Sequence, residues 1–167
     1  MNKKMKTLIR SINRSPLRCG FFTLAIALCW FALSPPLKAA DCPTECGSNG
    51  NTAVGPNALN SVTTGINNAA LGTGALTADT TGSYNVAVGN GALLSNTTGF
   101  QNMAIGAEAL ASNIVGNFNM AIGFRALSEN TGSRNSAVGA AALRSNTTAE
   151  DNTAIGSTAL RENTTGE

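Results

Sequence analysis

The side chains able to do chemistry in this chain are few, and their spacing scatters them. Histidine is absent, and Asp79, Glu108, Glu129, Glu150, Asp151 and Glu162 stand singly or as one adjacent pair. General acid–base work needs polar groups converging on one point, with a base or nucleophile of tuned pKa. Glu129 and Glu162 share a place in a periodic pattern, but they lie two periods apart and cannot act as a pair. Glycine is plentiful, yet no Gly-x-x-x-x-Gly-Lys-Ser/Thr phosphate loop and no Gly-Gly-x-Gly-x-Asp calcium repeat occurs. These absences predict a chain that is not an enzyme and has no cofactor or metal site.

Cysteine offers little more. Cys19 and Cys29 fall in an N-terminal leader, which leaves Cys42 and Cys46 in Cys-Pro-Thr-Glu-Cys. A zinc site needs more ligands than these two. An oxidising compartment would allow a disulfide between them, although so short a loop removes little chain entropy. The pair is either a small staple or two free thiols.

The polar residue that does recur is asparagine, and it recurs inside a repeat. Between Asn51 and Glu167 the phrase Asn-x-Ala-(Val/Ile/Leu)-Gly-x-x-Ala-Leu is written seven times. The copies begin at Asn51, Asn68, Asn85, Asn102, Asn119, Asn135 and Asn152, a step of 17 residues except for one step of 16. Position five is always glycine: Gly55, Gly72, Gly89, Gly106, Gly123, Gly139 and Gly156. A second polar row stands at position twelve, with Asp79 followed by Asn96, Asn113, Asn130, Asn146 and Asn163. Stacked at a corner, such amides can bond to one another and to the turn backbone. A structural ladder is therefore expected in preference to a row of ligand sites. The Asn-Thr-Thr tripeptides at 96, 146 and 163 match the glycosylation pattern, and periodicity alone accounts for them.

A regular short period means one unit stacked on its own copies. Asn-x-Ala-(Val/Ile)-Gly suits a brief strand, and the Thr-Thr-Gly that closes most copies suits a second one. The expected fold is all-β: a parallel β-solenoid, or β-roll, of seven 16–17-residue coils with two short strands each. A helical turn at Ala-Leu is the open alternative. At the usual strand spacing, seven coils make a rod on the order of 34 Å long. The repeated Ala, Val or Ile, Ala and Leu would fill it. That core is thin, so a homo-oligomer is expected, in the form of a trimer sharing the Ala/Val/Leu interior.

Charge divides the chain. Seven of its eleven basic residues precede Ala40 and all nine acidic residues follow it, so the part from Asp41 onward carries four Arg against nine carboxylates, a net −5. No basic cluster remains to bind nucleic acid or anionic lipid. The basic stretch to Arg18, the apolar run Phe21 to Leu33 and the ending Leu37-Lys38-Ala39-Ala40 have the three-part layout of a secretory signal peptide. The apolar run would reach only ~20 Å as a helix, short of a ~30 Å hydrocarbon core. The expected organisation is a signal-peptide helix over 1–40, a Cys-containing linker or cap over 41–50 and the solenoid over 51–167. Export to the cell surface or beyond follows, with membrane contact only through an uncleaved leader or an anchor outside this sequence.

Asn-Thr-Ala-Val-Gly at 51–55, Asn-Met-Ala-Ile-Gly at 102–106 and 119–123, and Asn-Thr-Ala-Ile-Gly at 152–156 resemble the head repeats of YadA-type trimeric autotransporter adhesins. The longer phrase is also similar to tail-fibre-like bacterial surface repeats. The resemblance implies a trimeric parallel β-roll on a bacterial surface whose flanks bind a host or environmental surface. The step of 17 is longer than that of the usual head. The chain stops one residue short of a full repeat, so the expectation is either a piece of a longer product or a rod whose anchor is supplied elsewhere. The expected function is a structural and adhesive rod acting by many weak sites in register on an unknown surface or matrix ligand. The alternatives are a passive spacer or fibre segment, and an ice-binding solenoid built on stacked threonines. Ile114-Val115 interrupts that threonine array.

Overall fold

The computed structural model describes residues 49–166. The leader, Cys42 and Cys46 lie outside the described residues, as do the expectations attached to them. Seven three-residue strands follow one another: β1 (Thr52–Val54), β2 (Ala69–Leu71), β3 (Val86–Val88), β4 (Met103–Ile105), β5 (Met120–Ile122), β6 (Ser136–Val138) and β7 (Thr153–Ile155). They form one parallel sheet in chain order. Each strand pairs with the next one period away, as in Ala70 with Ala87 and Ala87 with Ala104. The chain is thus an all-β parallel solenoid, one strand to a coil.

Each strand ends because position-five glycine takes φ between 121° and 138°. Side chains are excluded there on two counts. The backbone conformation is glycine's own, and a Cβ on Gly106 would stand 2.4 Å from the carbonyl oxygen of Gly123 in the next coil. Two turns follow. The position-eight N–H donates to the position-five carbonyl, as Ala92 does to Gly89, and the position-twelve N–H donates to position nine, as Asn96 does to Leu93.

Ala-Leu does not form a helical turn. The leucines at position nine all lie at φ between 48° and 51°, in the left-handed region. That conformation costs an ordinary residue about 1–2 kcal/mol. Burying a leucine returns roughly 1.5–3 kcal/mol, and Leu59, Leu76, Leu93, Leu110, Leu127 and Leu143 are all fully buried. Packing therefore overrides local preference, with an added N–H bond from each leucine to the next coil, such as Leu93 to Ala109 at 3.0 Å.

The second strand expected at Thr-Thr-Gly is not formed. The N–H groups of Thr80, Thr81 and Gly82 all converge on one acceptor, the carbonyl of Thr97. A strand must alternate its N–H groups between two sides, and three pointing one way make a corner. Coil five, residues 119–134, is the short one, and only Thr131 and Gly132 converge on Thr147 there. Its missing residue is taken from this corner, so β5 and β6 stay in register.

The core corrects one further expectation. It consists of the alanines at positions three and eight and the leucine at nine. The Val, Leu or Ile at position four faces outward instead, with Val54 58% and Ile155 76% exposed. Alternation along a strand dictates this: once Ala at position three points inward, positions two and four must point out.

Candidate functional site

The position-one asparagines are buried and line one inner corner. Each does two jobs. Its side-chain oxygen accepts the backbone N–H of the same position in the next coil: Asn68 to Asn51 at 2.8 Å, Asn85 to Asn68 at 2.9 Å, and Asn102 to Asn85, Asn119 to Asn102, Asn135 to Asn119 and Asn152 to Asn135 at 3.0 Å. Its amide nitrogen donates to the position-fifteen carbonyl of its own coil, as Asn85 does to Gly99 and Asn102 to Gly116, both at 2.8 Å. One group therefore closes a coil and joins it to its neighbour. Aspartate could not donate and glutamine would be too long, which accounts for asparagine in every copy.

The position-twelve row is also buried from Asp79 to Asn146. Asn96 donates to Asp79 at 2.9 Å, Asn113 to Asn96 at 3.1 Å, Asn146 to Asn130 at 2.8 Å and Asn163 to Asn146 at 3.2 Å. At the short coil the side-chain oxygen of Asn113 accepts from Asn119, and Asn130 donates to Gly132. Asn96 and Asn146, in the glycosylation pattern, are fully buried and bonded in this row. Among the described residues, no cation pairs with Asp79. Burial raises its carboxyl from 3.8 to about 6, against the opposing hydrogen bonds from Asn96 and the Gly82 N–H.

The first threonine of five corners is also used structurally. The hydroxyls of Thr63, Thr80, Thr97, Thr131 and Thr147 donate to the carbonyl of the same position in the following coil. The hydroxyls an ice-facing array would need at that position are thus bonded along the stack. The exposed second threonine is replaced by Val115 in coil four.

Carboxylates meet arginines across coils, one period apart. Glu108 pairs with Arg125 at 2.6 Å, and Arg134 with both Asp151 and Glu150. The hydrogen bond from Arg134 holds the Asp151 carboxyl below its usual range. Glu129 faces Arg144, while Glu162 pairs with its neighbour Arg161. The shared position of Glu129 and Glu162 thus brings no two carboxylates together. Among the described residues, no three His, Cys, Asp or Glu side chains are grouped to hold a metal ion.

The accessible periodic feature is the outer face of the sheet. Position four supplies Val54, Leu71, Val88, Ile105, Ile122, Val138 and Ile155, and beside them at position two run Ala69, Val86, Met103 and Met120. In-register pairing makes each set a straight apolar row, about 29 Å long at position four and about 14 Å at position two at the usual strand spacing. Exposed apolar rows of this kind mark interaction surfaces. The sequence expectation placed the position-four Val and Ile inside, because composition counts apolar side chains without assigning them a face. It also missed an aromatic cluster at one corner, for which the period gives no signal. No protein-family model, curated protein or solved structure matches this chain.

Proposed function

We propose that the chain is an exported structural and adhesive rod that binds an extracellular surface through many equivalent weak contacts. It resembles the head region of a trimeric surface adhesin in this respect. The observation carrying the reading is that every described coil presents its outward residues in register with those of the next. A fixed array turns weak single contacts into strong attachment, because after the first contact the others form at high effective concentration. The interior supports a holding role over a reacting one: its polar rows are asparagines and Asp79, all bonded to the stack itself. The outer aliphatic row is the surface by which copies would assemble into a trimer.

Removing two whole coils, residues 119–151, tests the reading. The period is kept, because Phe118 then joins Asn152 as position seventeen joins position one. Attachment to immobilised host matrix or abiotic surfaces should weaken about tenfold or more while the shortened chain stays folded. Unchanged attachment would make the rod a spacer.

A further inference from the structure

Four aromatic rings lie among the described residues, Tyr84, Phe100, Phe118 and Phe124, and all are exposed. They contribute nothing to a core made of Ala and Leu. Three of them rise from one corner in successive coils: Tyr84 from coil two, Phe100 from coil three and Phe118 from coil four. Phe118 meets Phe100 edge to face at 5.1 Å between centroids, which props the Phe100 ring in place. Between coils two and three, Tyr84 and Phe100 share a cleft of about 450 Å³ with Thr81, Ser83, Thr98 and Gln101.

The lining is selective in its chemistry. It carries no charge, which disfavours an ionic ligand. The hydroxyls of Thr81, Thr98 and Tyr84 and the Gln101 amide make no side-chain hydrogen bond among the described residues. Ser83 is already engaged with the Ile66 N–H and the Thr81 carbonyl. The main chain is occupied too, since the N–H groups of Thr81, Gly82, Tyr84 and Gln101 all bond between coils. An extended peptide, which binds by adding a strand to free main-chain groups, has no purchase here. Two ring faces with four free neutral hydrogen-bonding groups instead match a ligand with an apolar C–H face and a rim of hydroxyls.

We propose that this cleft binds one neutral pyranose unit of a surface glycan, stacked on Tyr84 or Phe100 and hydrogen-bonded by Thr81, Thr98 and Gln101. The proposal rests on the adhesive reading and names its ligand class. A single shallow contact of this kind is weak, and copies of the chain assembled on one surface would multiply it.

Saturation-transfer NMR and titration of the full chain with neutral oligosaccharides of glucose, galactose and N-acetylglucosamine test it. At least one sugar should bind, with Tyr84→Ala and Phe100→Ala each weakening it roughly tenfold. Phe124→Ala, which alters an exposed ring outside the cleft, should bind as the parent does. Circular dichroism of the variants checks that they fold. Binding of no neutral sugar, or equal binding by the Tyr84 and Phe100 variants, overturns the proposal. If the chain then still attaches to surfaces in proportion to its coils, the adhesive reading survives alone. Attachment that resists periodate oxidation of the surface but not protease assigns the ligand to protein and overturns the glycan.

Discussion

Asp79 stands where the next five coils carry asparagine, and the direction of the ladder accounts for the exchange. Position-twelve amides donate backward, Asn96 to Asp79 and Asn113 to Asn96. Behind Asp79 the same place holds Val62, which offers no acceptor. A group that only receives can be a carboxylate, and Asp79 receives from both Asn96 and Asn68. The cost is burial of charge, which raises the carboxyl to about 6. Because the folded chain holds that proton more tightly than the unfolded one, the contribution is fully present below about pH 4 and is lost as pH rises through about 6. Asp151, whose pKa is lowered, acts in the opposite sense and at more acidic pH. Urea unfolding at pH 4 to 7 should therefore show the parent weakening across that window. Asp79→Asn should be flat there and more stable than the parent at pH 7, since its amide can donate to the Gly82 carbonyl as its counterparts do at position fifteen.

At the scale of one coil, strand and corner tolerate change differently. Strand positions alternate between core and solvent, so a one-residue slip reverses every side chain. An alanine inserted between Ala104 and Ile105 would turn Ile105 toward a core sized for alanine and displace Gly106 from its φ of 137°. The corner is held by three N–H groups sharing one acceptor in coils one and two and by two in coils three and five. A threonine inserted between Thr131 and Gly132 should change stability by less than about 1 kcal/mol. The strand insertion should cost about 3 kcal/mol or more, or prevent folding. Thermal unfolding by circular dichroism compares the two, and equal loss would remove the distinction between strand and corner.

For the whole molecule, stacking fills the interior from one chain and leaves the aliphatic row to solvent. Leu59 through Leu143 are buried without a partner chain, whereas Ile105 at the middle of the outer row is 37% exposed. Assembly would thus bury the row and not complete the core. The proposed trimer predicts three copies by sedimentation of the parent chain. Ile105→Glu should yield smaller species with an unchanged circular dichroism spectrum, because a carboxylate in a closed apolar interface is unpaired. A single copy for the parent removes the trimer and leaves a self-contained solenoid.

Periodicity by itself determined the stacking, the parallel order and the recurrence of asparagine, because identical units with identical bonding groups repeat best by translation. It also made the position-one amides legible as a ladder, since they recur in every copy. The choice of face was decided only in three dimensions. Val and Ile at position four are as apolar as Leu at position nine, and the pleat sends one out while a left-handed turn brings the other in. The missing second strand has a similar origin: Thr-Thr-Gly has strand composition, but the direction of its N–H groups depends on where the next coil lies. Tyr84 and Phe100 fall at different positions of the repeat, seventeen and sixteen, where other coils carry varied residues, and only the stacking of coil two on coil three brings those rings together.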